Sequence, residues 1–189
     1  MIVYLHGFCS SPASHKAQQL KAHMAARGLG RKFWCEQLPV SPREAVTLVE
    51  DALRRSSSPV TLVGSSLGGF YATYLAEKHG LSAALINPAV LPHTSLKALV
   101  GPQQNFHTGE RFEFTPAHAA ELEALDVPRI SCPERYLLLV ETGDEVLDYR
   151  QAVAKYAGAR QIVIEGGDHG FQHFGEHMDT ILRFAELIA

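Results

Sequence analysis

The segment Thr61-Leu62-Val63-Gly64-Ser65-Ser66-Leu67-Gly68-Gly69 reads as an apolar strand that runs through G-x-S-x-G straight into a helical pattern over residues 67–78. As a bare string G-x-S-x-G is common; the information lies in its placement between a buried strand and a helix. In such an elbow the serine occupies a strained strand-to-helix turn, and the flanking glycines leave room for the neighbouring strand and helix. Ser66 Oγ would then stand at a helix N-terminus, where free N–H groups and the helix dipole favour developing negative charge. The alternative is an ordinary glycine-rich turn. What separates the two is whether the rest of the chain supplies partners for a nucleophile.

Outward from the elbow, runs rich in β-branched and aromatic residues place strands near residues 2–6, 33–36, 60–63, 83–86, 136–141 and 161–164. Several are apolar without alternation, as strands covered on both faces should be. Between them, helical spacing covers residues 13–27, 42–55, 67–78, 149–156 and 172–188, with start signals at Ser11-Pro12 and Ser41-Pro42. This order predicts an α/β fold of three layers, a mostly parallel central sheet of about six strands between two layers of helices. Residues 1–189 are enough for one domain. Residues 87–133, after the fourth strand, hold six of the ten prolines and two weak helical patterns at 95–99 and 117–125. They read as a small cap or lid insertion.

A serine hydroxyl needs a base, and His169 in Glu165-Gly166-Gly167-Asp168-His169-Gly170 follows the last predicted strand in a loop free enough to reach Ser66. The base needs a carboxylate to orient it. Asp144 in Thr142-Gly143-Asp144-Glu145-Val146 directly follows the strand before and is the best placed. Its rivals are Glu145, Asp148, which suits a helix start, and Asp168, which adjoins the histidine too closely. Oxyanion donors are expected from the backbone N–H of Leu67 and of Phe8. The latter follows the first strand in Tyr4-Leu5-His6-Gly7-Phe8, with Gly7 permitting the turn and His6 buttressing it. A competing pattern, H-x-x-E-H, occurs at His173-Phe174-Gly175-Glu176-His177. Without a further ligand nearby it reads as exposed histidines on a terminal helix, and no metal or cofactor is expected.

Composition narrows the partners. The formal net charge is −3 and the basic residues are scattered, so no stripe exists to track a nucleic-acid backbone. No apolar run approaches the length of a membrane span, and the N-terminus lacks an export signal. Three widely spaced cysteines, Cys9, Cys35 and Cys132, suit reduced thiols and hence a cytoplasmic protein. The sequence is silent on oligomeric state.

His-Gly after the first strand, G-x-S-x-G, Gly-Asp-Glu-Val and Gly-Asp-His together resemble the α/β-hydrolase superfamily across almost the whole chain. Within it, Tyr4-Leu5-His6-Gly7-Phe8 with Ser10-Ser11-Pro12, and Gly143-Asp144-Glu145-Val146-Leu147-Asp148-Tyr149, look like the small bacterial YqiA esterases. The resemblance implies a reduced hydrolase fold that begins at the usual third strand, with a small acyl ester as substrate. An acyl-CoA thioesterase with the same triad, Ser66, Asp144 and His169, is the nearest alternative, and a catalytically silent binding protein on the same fold is the alternative of another class. Cys9 departs from the polar residue, such as Asn, expected there, and Glu36-Gln37-Leu38-Pro39 differs around the pocket. The acyl pocket is expected largely from residues 87–133.

Overall fold

The computed structural model describes all 189 residues. Strands β1 (Ile2–Leu5), β2 (Phe33–Trp34), β3 (Thr61–Ser65) and β4 (Ser82–Ile86) alternate with helices α1 (His15–Ala26), α2 (Pro42–Arg55) and α3 (Leu67–His79). The chain then forms a short helix α4 (Pro92–Ser95), a hairpin of β5 (Gly101–Gln104) and β6 (Arg111–Phe114), and α5 (Pro116–Ala124). It closes with β7 (Tyr136–Glu141), α6 (Tyr149–Lys155), β8 (Arg160–Ile164) and α7 (Phe174–Phe184).

The main sheet has the order β2-β1-β3-β4-β7-β8 and every pairing in it is parallel, where the sequence suggested mostly parallel. Strands covered on both faces explain the unbroken apolar runs. In β1, Ile2 and Tyr4 face Leu20 and Met24 of α1 and Ile181 and Leu182 of α7, whereas Val3 and Leu5 face α2 and α3 through Val46, Val49, Phe70 and Leu75. Each large apolar side chain buried this way contributes about 1.5–3 kcal/mol. Because every pairing is parallel, the C-terminal ends of β1, β3, β4, β7 and β8 all open on one edge, where ligands bind in open α/β sheets.

Helix α2 starts as read: Ser41 Oγ accepts the Glu44 N–H at 3.2 Å and Pro42 holds the first position. Helix α1 does not. Ser11 Oγ accepts the Ala13 N–H at 3.0 Å, a local turn that delays the helix to His15. The patterns at 95–99 and 117–125 appear as α4 with a following 3₁₀ turn over residues 96–99, and as α5. The hairpin between them was not anticipated. No helix is long and apolar enough to cross a membrane.

Candidate active site

Ser66 has φ 54° and ψ −120°, a backbone region that costs a residue other than glycine of order 1–3 kcal/mol. Neighbouring strands hold it there. Its N–H donates to Ile86 O at 3.1 Å, and its carbonyl accepts from Gly69 at 2.9 Å and Ala89 at 3.0 Å. The glycines of the motif are required by close approach: a Cβ on Gly64 would collide with the Gly68 carbonyl, and one on Gly68 with the Leu5 carbonyl.

The loop after β8 brings His169 to the serine, with Nε2 3.0 Å from Ser66 Oγ. Nδ1 lies 3.0 and 2.9 Å from the two oxygens of Asp144, whose side chain is only 2% exposed. Asp144 Oδ1 also accepts the N–H groups of Val146 at 2.9 Å and Leu147 at 2.8 Å. Burial opposes ionisation of Asp144, but the bonds from His169 and the two amides outweigh it and hold the carboxyl below its usual range. An ionised Asp144 accepts only, so Nδ1 carries a proton and Nε2 is left with its lone pair toward Ser66.

The rival carboxylates do other work. Glu145 accepts the backbone N–H of His169 at 3.0 Å, and Asp148 caps α6 through the Arg150 N–H at 3.0 Å. Asp168 accepts the Gln172 side-chain amide at 2.8 Å.

Leu67 opens α3, so its N–H has no partner within the helix, and the Phe8 N–H donates to no group of the chain. Gly7 lies against Ser66; a Cβ there would stand 3.7 Å from Ser66 Oγ. His6, 4% exposed, accepts the Leu38 N–H on Nε2 at 3.1 Å and therefore donates from Nδ1 to the Gly7 carbonyl at 3.0 Å. Burial pushes its pKa down, which suits a neutral ring that ties two loops together. The hairpin braces the same loop, with Phe106 N–H on Cys9 O at 2.8 Å and Asn105 Nδ2 on Ser10 O at 2.7 Å. Cys9 has φ 53°, a conformation that asparagine tolerates better than cysteine.

Beside these amides lies a cavity of about 230 Å³, lined among others by Phe8, Leu38, Val40, Leu67, Tyr71 and Phe112. The expectation that residues 87–133 would build most of it needs correcting. They supply only the hairpin side, and the loops at residues 6–10 and 37–40 supply the larger share. The reason is topological: both loops leave the C-terminal ends of β1 and β2 at the elbow.

The H-x-x-E-H pattern also resolves differently from its reading as exposed helical histidines. His173 sits ahead of α7, half-buried, with Nδ1 2.7 Å from the carboxylate of Glu141, while His177 packs its ring 6.1 Å from that of Phe171. Glu141 and Asn87, at the ends of β7 and β4, were missed as site residues. Asn87 accepts the Glu141 N–H at 3.0 Å and donates to the carbonyls of Asp168 at 3.0 Å and His169 at 3.3 Å. The available signal was a lone carboxylate, Glu141, following the apolar run 136–140 and one residue ahead of Gly143-Asp144.

The fold is that of the α/β hydrolases. It superposes on mouse alpha/beta hydrolase domain-containing protein 10 with a TM-score of 0.75 at 19% identity, covering 100% of this chain and 90% of that one. The monoacylglycerol lipase of Paleococcus ferrophilus superposes with a TM-score of 0.74 at 16% identity, covering 99% and 94%. Residues 1–186 match the family described as "Uncharacterised protein family (UPF0227)", and the chain belongs to that YqiA-like family.

Proposed function

We propose that the protein is a serine hydrolase that cleaves carboxylic esters of simple acyl groups through an acyl-enzyme on Ser66. The observation that carries this reading is the line of hydrogen bonds from buried Asp144 through His169 to Ser66 Oγ, 2.9 and 3.0 Å long, ending at a strained serine beside two unpartnered amides.

As Ser66 Oγ attacks the acyl carbon, His169 Nε2 takes its proton, and the imidazolium so formed faces the ionised Asp144. The carbonyl oxygen becomes an oxyanion between the Leu67 and Phe8 amides, each worth about 3 kcal/mol in such a role. His169 then returns the proton to the leaving alkoxide, and the alcohol departs. Water repeats the cycle on the acyl-enzyme and releases the acid. The nucleophile, base and oxyanion donors all belong to the chain, so the scheme calls for no cofactor. A cytoplasmic setting suits the unpaired thiols of Cys9, Cys35 and Cys132.

The cavity of about 230 Å³ lies below the roughly 300–1,000 Å³ of drug-sized pockets, which favours short acyl groups. Turnover of p-nitrophenyl acetate, butyrate and octanoate by the wild type and by Ser66→Ala tests both parts. The expected result is hydrolysis of the two shorter esters, weaker on octanoate, and abolished in the variant. Identical background rates in both proteins would sink the reading and leave a hydrolase fold used for binding. Matched oxygen esters and thioesters of the best acyl group then establish which leaving group is preferred.

A further inference from the structure

β7 is apolar and wholly buried up to its last residue, Glu141, whose carboxylate is 0% exposed. A charge in such a place is costly unless its lone pairs are matched. Here they are: Oε2 accepts the N–H groups of Asp168 at 2.8 Å and Gln172 at 3.1 Å, and Oε1 accepts the His173 N–H at 3.0 Å and its Nδ1–H at 2.7 Å. Burial works against ionisation, and these bonds together override it and hold the carboxyl below its usual range. All the donors come from the one segment, residues 168–173, that carries His169. The segment wraps closely, since a Cβ on Gly167 would collide with the Glu141 carboxylate. From the other side, Asn87, itself at φ 40°, grips the carbonyls of Asp168 and His169.

We propose that Glu141 is a positioning residue for the reaction at Ser66, its buried carboxylate being the internal anchor that sets the His169 imidazole between Ser66 Oγ and Asp144. The proposal rests on the serine-hydrolase reading. The anchor does not touch the cavity beside Phe8 and Leu67, so its effect reaches substrate only through His169. An apolar residue of similar volume would fill the same space without orienting the loop. Glutamine keeps the shape but offers one acceptor end and one donor end. Whichever way the amide turns, its NH₂ faces at least one backbone N–H, of His173 on one side or of Asp168 and Gln172 on the other, and the loop must shift. A displacement near 1 Å of a catalytic group costs about a hundredfold in rate.

The test compares wild type, Glu141→Gln, Asp144→Asn and the double variant on p-nitrophenyl butyrate, with Ser66→Ala and His177→Ala measured alongside. For Glu141→Gln the expected result is a kcat about a hundredfold lower, KM within a few-fold, and fluorophosphonate labelling of Ser66 slowed in step. In the Asp144→Asn background, where the imidazole is already misdirected, Glu141→Gln should cost less than about tenfold more. His177→Ala, on α7 and without a bond to Glu141, should match the wild type. A Glu141→Gln enzyme within about threefold of wild-type kcat, or losses equal in both backgrounds, would overturn the proposal while leaving Ser66 essential. If Glu141→Gln does not fold, His173→Ala removes one donor from the same carboxylate, with a roughly tenfold loss of kcat expected and an unchanged kcat overturning the proposal. Turnover surviving in Ser66→Ala would instead defeat the serine-hydrolase reading itself.

Discussion

Replacing Asp144 by asparagine changes one atom and should remove nearly all activity. The two backbone N–H groups of Val146 and Leu147, 2.9 and 2.8 Å away, both aim at Oδ1, so they select the amide oxygen for that position. The NH₂ must then occupy the Oδ2 position, 2.9 Å from His169 Nδ1. A donor there opposes the Nδ1 proton, and although the amide oxygen stays 3.0 Å from Nδ1, the tautomer with its proton on Nε2, facing Ser66 Oγ, is favoured. In that tautomer the imidazole cannot take the serine proton, and no anion remains to stabilise an imidazolium. For triads of this geometry the loss is about 10⁴-fold in kcat, or about 5.4 kcal/mol of transition-state stabilisation. The Val146 and Leu147 N–H donors keep an acceptor, so the variant should still fold, its urea midpoint lowered by the stability that the ionised carboxylate contributes. The assay is kcat on p-nitrophenyl butyrate at pH 7, with active-site titration to count folded enzyme. A loss below about tenfold would refute the argument that Asp144 sets the tautomer.

Ser66→Gly should abolish turnover and yet stabilise the fold. It relieves the φ 54° strain and forfeits no capping bond, so an increase of about 1 kcal/mol over Ser66→Ala is expected from urea unfolding. Phe112→Ala opens the hairpin wall of the cavity and should raise the octanoate-to-butyrate ratio of kcat/KM roughly tenfold, read from the ester series. Acid should unfold the protein in a way that depends on Glu141 and Asp144, both held below their ordinary values of 4.5 and 3.8. Their contribution is complete above those values and is lost as pH falls through the lower folded ones, because the unfolded chain then binds more protons. Urea midpoints from roughly pH 5 down to pH 2 should therefore fall, and fall less steeply in Glu141→Gln.

Much of this was legible because the sheet is parallel and covered on both faces. Runs such as Tyr136–Val140 need no alternation to be recognised, and the segments that leave the C-terminal ends of such strands carry Ser66, Asp144 and His169. Ser66, Asp144 and His169 could be named because each follows a strand that the apolar pattern reveals. The hairpin was illegible for the opposite reason. Gly-Pro-Gln-Gln in β5 has little strand propensity, and Arg-Phe-Glu-Phe in β6 buries only one face. It is held by contacts with no local signature, such as Asn105 on the Ser10 carbonyl. The preference for a residue such as Asn at position 9 became intelligible only once the positive φ there was seen. Glu141 escaped notice because its partners lie about 30 residues away in the loop 168–173, a relation that periodicity cannot report.

The proposed nucleophile, Ser66, can be trapped chemically. Incubating the native protein with a fluorophosphonate and mapping the adduct by peptide mass spectrometry tests that assignment directly. One phosphonyl group per chain is expected on the peptide that contains Ser66, formed only in the folded protein and blocked by prior reaction with a good ester substrate. An adduct on another serine, or none while p-nitrophenyl esters are still turned over, would contradict the assignment.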